Sequence, residues 1–442
     1  MERDSARSTD AAVGDRLLDR RYGRLVQLHA HQFAVTRSTA HKWEFAPRFR
    51  RNAFGWQSQA AIKRVREAVT EIKAVARKDP ALAATGAVLF LEKVSPALEQ
   101  VDSSSGAIGT AVSNAVDALV RILVEAPVDD GTRDHWLERL WDAHQNDAIP
   151  YIECLAEYWG ELCVSPERAG RWADLLVDGL RTSWRPDRRP GDYFNGTTAC
   201  LSALLHAGRH DELLALLDRA PHPLWHDRKW GVKALVAAGR KAEAIRYAED
   251  RRSRNDNPAV IARACEEILL SSGLADEAYA RYAIDANQGS TFLATYRSIA
   301  KKYPQKTASA ILTDRVASTP GQEGKWFTAA KDAGLFDEAI ALAARTACDP
   351  RTLTRAARDF AATRPGFAIE CGLSALRWIA SGHGYEITGA DILTAYEITL
   401  SAGATAGNLA DVRARIDRLL ADPSATSRDL VRRVTGRAAG TA

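Results

Sequence analysis

The side chains in this chain that are equipped to do chemistry are mostly cations set among aromatics. From Arg48 the run RFRRNAFGWQSQAAIKRVR places Arg48, Arg50, Arg51, Lys63, Arg64 and Arg66 beside Phe49, Phe54 and Trp56. Cationic side chains neutralise phosphates and aromatic rings stack on bases, so this composition points to nucleic acid. A plainer reading stands beside it. Ala61, Ile62, Val65, Val69, Ile72 and Val75 recur at helical spacing, which makes the basic residues the wet face of a packed helix.

Carboxylates supply the second pattern. Glu153, Glu157 and Glu161 recur every four residues in PYIECLAEYWGELC, and like charges at that spacing destabilise a helix by a few tenths of a kcal/mol per pair. Something should offset this repulsion: pairing with an Arg or Lys of a neighbouring helix is the first reading, and a divalent-metal site or a catalytic acid among the glutamates the other. Other signals fall away. VDSSSGAIGTA, from Val101, has neither the Lys-Ser/Thr ending nor the preceding strand of a phosphate loop, and its serines serve as helix caps before Ala107. His206 and His210 straddle a glycine corner, and no HExxH, GxSxG, Walker or GxGxxG motif occurs. Cys154, Cys163, Cys200, Cys265, Cys348 and Cys371 form no CxxC pair and read as buried thiols of a reducing compartment. No catalytic residue, metal ligand set or cofactor is assigned on these grounds.

The elements that must position these groups are helices. A short phrase recurs: AGRHDELLALL from Ala207, AGRKAEAIRYA from Ala238, SGLADEAYARYA from Ser272 and AGLFDEAIALAA from Ala333. Its glycines, Gly208, Gly239, Gly273 and Gly334, lie 31, 34 and 61 residues apart, the last interval being two periods. Pro304 breaks the chain where the missing copy falls, Pro365 and Gly366 break it one period after Gly334, and AGNLADVRARI at Gly407 is a looser copy. Glycine ends a helix by adopting positive φ, and the acidic residues that follow suit the positive end of the next helix. Each phrase is thus the corner of a helical hairpin whose apolar face only another hairpin can cover.

Upstream, helices are expected at about 57–77, 81–100, 107–125, 133–143, 150–163 and 166–182, with no competing strand signal. The Arg-, Pro- and Gly-rich run from Arg181 reads as a linker, giving an N-terminal helical domain over 1–185, basic then acidic, and repeats over 193–435. The termini, to about Asp10 and from about Gly436, are expected to be loose. The nearly uncharged stretch Ala81 to Leu91 is too short to span a bilayer, and the N-terminus lacks the apolar core of a secretory signal. A cytoplasmic protein without membrane segments is the expectation. With 46% hydrophobic and 26% charged residues the composition is globular.

The corners AGRKAEAI, SGLADEAY and AGLFDEAI resemble those of the tetratricopeptide class of α-solenoids, over roughly Tyr193 to Leu420. The chain departs from that pattern in lacking a regular Pro at each unit's end and a fixed Trp or Tyr in each first helix. The runs YFNGTTACLSALLHAGR and TPGQEGKWFTAAKDAGL are also similar to uncharacterised bacterial helical-repeat proteins, which imply no activity. The resemblance implies that first helices line an inner groove. Summed separately, first helices are net positive and second helices net negative. The groove candidates are Lys229, Lys233, Arg297, Lys301, Lys325, Arg355 and Arg358, with Trp230, Tyr296 and Trp326 interleaved. The alternative is that these cations are solvated or paired and the aromatics are core. The functional expectation is a binding or scaffold protein taking a partner's acidic segment. Nucleic acid on the same groove and the Arg48–Arg66 region is the alternative, and an enzyme using Glu153, Glu157 or Asp359 in a site of non-sequential residues is the third reading.

Overall fold

The computed structural model describes residues 41–185, 193–221, 224–251, 254–422 and 426–436. The expectations for the first ten residues and for those after Gly436 fall outside this set. Among the described residues there are 21 α-helices and no strand, so the protein is all-α.

The chain divides into two compact units, Met1–Asp256 and Asn257–Ala442. The boundary expected near residues 185–193 is not where the packing divides. Helices α1 (Ser58–Ala76), α2 (Pro80–Leu98), α3 (Ala107–Glu125), α4 (Asp130–Gln145), α5 (Trp159–Cys163), α6 (Pro166–Ser183), α7 (Thr197–His206), α8 (His210–Leu217), α9 (Trp225–Ala237) and α10 (Lys241–Asp250) belong to the first unit. One hydrophobic core runs through it from Trp43 to Ala234, crossing that boundary because α6 packs on α7. A polar, Pro-rich connection marks a loop; it marks a domain boundary only if apolar faces on its two sides fail to meet.

By length and composition α2 and α3 are apolar enough to cross a bilayer. The sequence reading missed this because Glu92 and Lys93 interrupt the run after Leu91. Both helices instead face the core: Phe90, Leu91 and Leu98 of α2 and Ile108 and Leu119 of α3 are fully buried, while Glu92 is held by two 2.6 Å bonds from Arg139 of α4. The expected helix over 150–163 is also different. Residues Glu153–Tyr158 wind as a 3₁₀ helix before α5. At three residues per turn Glu153 and Glu157 no longer share a line, which relieves the repulsion the α-helical reading implied.

The second unit holds α11 (Pro258–Leu270), α12 (Ala275–Ala286), α13 (Phe292–Lys302), α14 (Ala308–Ala317), α15 (Phe327–Asp332), α16 (Phe336–Arg345), α17 (Pro350–Phe360), α18 (Pro365–Ala380), α19 (Gly389–Thr405), α20 (Leu409–Ala421) and α21 (Arg428–Val434). Successive pairs form hairpins. The corners are built as the repeated phrase requires: Gly208, Gly239, Gly273, Gly334 and Gly407 have φ of 71°, 77°, 75°, 77° and 71°. After each, the next amide reaches back five residues, as from Leu335 N to Ala330 O at 2.9 Å, satisfying a carbonyl the helix end leaves open. Within the second unit first helices touch first helices (α13 with α15, α17 with α19) and second touch second (α16 with α18, α18 with α20).

Candidate functional site

The helix order places the groove cations on first helices: Lys229 and Lys233 on α9, Arg297 and Lys301 on α13, Lys325 on the 3₁₀ turn Glu323–Trp326 that leads into α15, and Arg355 and Arg358 on α17. Their surroundings differ. Lys229 is taken up by Glu157, Nζ to Oε1 2.8 Å, and is only 20% exposed. The pair answers the question raised by the glutamate series, since a lysine from a neighbouring helix supplies the missing charge. Lys233 sets its ammonium over the Trp230 ring, Nζ 4.5 Å from the centroid, and partial desolvation there lowers its pKa, helped by the adjacent Lys229 charge.

In the second unit Arg297 and Arg358 are exposed but paired. Arg297 donates to Asp332 through Nε at 3.0 Å and through Nη2, and this holds the Asp332 carboxyl below the usual range. Arg358 bonds Asp359 at 3.1 Å, which leaves Asp359 in an exposed pair. Lys325 donates to the neutral Gln322 Oε1 at 2.9 Å. Lys301 and Arg355 are exposed and have no ion-pair partner among the described residues. Lys301, Lys325 and Arg355 thus carry positive charge with no carboxylate paired to it among the described residues.

The aromatic part of the expectation is corrected. Trp230, Tyr296 and Trp326 are core residues, 1%, 5% and 2% exposed. Trp326 donates its indole N–H to Thr319 Oγ1 at 2.8 Å and packs edge-on to Phe292 at 4.7 Å. None offers a face on which a base could stack. The apolar stripe that buries each first helix consumes its large rings, and spacing alone did not reveal which side they face.

The Arg48–Arg66 cluster resolves into two groups. Glu67 gathers Arg48 at 3.5 Å, Arg64 at 2.6 Å and Lys63 at 4.0 Å, and the Arg64 bond lowers its pKa. Arg51 holds Glu99 at 2.8 and 3.2 Å. Phe49 is buried. Arg50 and Arg66 remain exposed with no ion pair among the described residues, and Trp56 is 77% exposed. A depression of about 320 Å³ is lined by Glu44, Arg48, Arg64, Glu67 and Glu71, with Arg48 also 3.8 Å from Glu44. Glu71 is already engaged by the N–H groups of Glu44 and Phe45, at 2.7 and 3.1 Å. No family model, curated protein or solved structure matches this chain.

Several charged groups that the sequence reading passed over are structural nodes. Glu266, fully buried on α11, accepts from Asn287 Nδ2 at 2.6 Å, from Tyr303 Oη at 2.7 Å and from Lys302 Nζ. Arg228, fully buried, donates to Asp256 at 2.9 Å. Arg168 bonds Asp134 at 2.6 Å and the Cys163 carbonyl at 2.7 Å. Buried charges survive when paired and hydrogen-bonded, and nothing in local sequence reveals a side-chain partner 21 to 37 residues away. Burial pushes the thiols of Cys163, Cys200 and Cys348 up to about 12, so these are packing residues at neutral pH. Among the described residues no group of three or more His, Cys, Asp or Glu is placed to hold a metal ion.

Proposed function

We propose that the chain is a cytoplasmic helical-repeat binding protein, a tetratricopeptide-like α-solenoid whose first helices offer a basic surface to an acidic segment of a partner protein. The observation that carries this reading is that Lys301 and Arg355, on the first helices of two hairpins, and Lys325, on the 3₁₀ turn that opens the hairpin between them, are exposed without a carboxylate partner among the described residues. Natural surfaces interleave opposite charges, and a run of unanswered cations favours a ligand that brings the carboxylates. Arg297 and Arg358 flank them in exposed ion pairs, which contribute so little that an incoming carboxylate competes readily. The identical closure of five corners and the contacts of like helices support the repeat architecture. Six unbridged cysteines suit a reducing compartment.

The burial of Trp230, Tyr296 and Trp326 favours a peptide over nucleic acid on this surface, because carboxylates need only cations whereas single strands also need stacking platforms. The test is fluorescence anisotropy with a labelled poly-glutamate peptide against wild type and the Lys301→Glu, Lys325→Glu, Arg355→Glu triple variant. Exposed pairs contribute about 0.5–1 kcal/mol each, so three reversals should weaken binding roughly 10- to 100-fold. Equal affinity of the two proteins, or no binding even at low salt, refutes the reading.

A further inference from the structure

The exposed positions of α1 include one continuous line: Gln59, Lys63, Arg66, Thr70 and Lys73, ending on the capping residue Arg77. The alternating three- and four-residue steps are those of a single helix face. Four of the six are cations and none is a carboxylate. Both acids of α1 are held elsewhere: Glu67 by Arg48 and Arg64, and Glu71 by two backbone N–H groups. Lys63 reaches Glu67 only at 4.0 Å, and Arg66, Lys73 and Arg77 have no ion pair among the described residues. Just before the helix a turn with positive φ at Asn52 (57°) and Gly55 (49°) lifts Trp56 into solvent. The turn is fixed to α2 by the Asn52 N–H bond to the Pro96 carbonyl at 3.0 Å, so the indole is presented from an anchored base.

We propose that this face binds single-stranded nucleic acid, with backbone phosphates on Lys63, Arg66, Lys73 and Arg77 and a base stacked on Trp56. The cations span about 21 Å at 1.5 Å per residue. About six nucleotides cover that length at 3.4 Å each. An exposed indole at one end of a cationic line is the pairing that non-sequence-specific strand binding uses. A lipid bilayer fits less well, because the uncharged members of the line are the polar Gln59 and Thr70, and Trp56 stands at one end of the line rather than along an apolar face. The site shares no residue with the acidic-peptide surface of the second unit, and the two stand or fall separately.

The experiment is anisotropy of a fluorescein-labelled oligothymidylate with the full chain over a salt series, with phosphatidylserine vesicles and a duplex as parallel probes. Four phosphates at about 0.7 each give a log–log salt slope near −3. The Arg66→Glu, Lys73→Glu variant should weaken binding at least tenfold and roughly halve the slope. Trp56→Ala should weaken it about tenfold and leave the slope alone. The Lys301, Lys325, Arg355 triple variant should bind the strand as wild type does. All these residues are exposed, and circular dichroism checks that the variants fold. Absence of strand binding at low salt, equal affinity of wild type and the Arg66/Lys73 variant, or vesicle binding without strand binding overturns the proposal. Duplex bound as tightly as the strand, with Trp56→Ala silent, overturns the single-strand assignment.

Discussion

Acidification from pH 7 to pH 5 should destabilise the first unit through one residue, His144. It sits in the last turn of α4, 2% exposed, its ring stacked on Trp141 with centroids 5.7 Å apart and Nδ1 3.2 Å from Gln145 Nε2. A cation at a helix C-terminus is normally favoured, but desolvation outweighs that here and lowers the pKa from 6.5 to about 4. The folded chain therefore keeps the imidazole neutral at a pH where the unfolded chain has already bound a proton. Stability is full above the unfolded value of about 6.5, falls as pH drops through it, and stops falling below about 4. At about 1.4 kcal/mol per pH unit the whole loss is about 3 kcal/mol, and at pH 5 about 2 kcal/mol of it is realised. Urea unfolding followed by tryptophan fluorescence reads mainly this unit, since only Trp326 and Trp378 lie beyond Asp256. Asp142 and Asp147, whose burial raises their pKa values, respond in the opposite direction and are common to wild type and His144→Gln. The difference between the two proteins thus isolates the histidine. A variant that loses as much stability as wild type between pH 7 and 5 would refute the reasoning, as would an imidazole resonance titrating near pH 6.5.

Four further outcomes follow from the packing. Gly334→Ala at a corner with φ of 77° should lower stability by about 1 kcal/mol through backbone strain alone, because a Cβ there meets nothing; a loss several times larger in thermal unfolding would contradict the corner geometry. Gly86→Ala is a different case, since its Cβ would fall 2.2 Å from the Trp43 ring; a loss of about 2 kcal/mol or more is expected, and unchanged melting would show that the ring is not seated there. Glu266→Ala should cost about 3–5 kcal/mol in unfolding of the second unit, because Asn287 and Tyr303 are left with buried unpaired donors; a near-neutral result would mean that the network is hydrated. Glu157→Gln, by contrast, removes a partly exposed pair with Lys229 and should stay within about 1 kcal/mol of wild type by the same measurement.

What sequence alone determined is whatever short-range backbone chemistry decides. Positive φ at Gly208, Gly239, Gly273, Gly334 and Gly407 needs no knowledge of the rest of the chain, and five of the six helices expected upstream of residue 185 end within a few residues of where they were placed, the one over 150–163 being the exception. The all-α class followed as well, from periodicity. Tertiary structure decided the contents of the candidate site. Whether Trp230 and Trp326 face a groove or a core, whether Lys229 is free or held by Glu157, and whether residues 186–192 separate two domains all depend on which apolar faces meet. The Arg48–Arg66 cluster shows the same division within one segment. Its spacing already identified a basic face on a packed helix, but only the fold showed that Glu67 and Glu99 neutralise Arg48, Arg51 and Arg64 while Arg66 and Trp56 stay in solvent. Charge partners and burial are set by contacts between residues far apart in the chain, and local sequence carries no record of them.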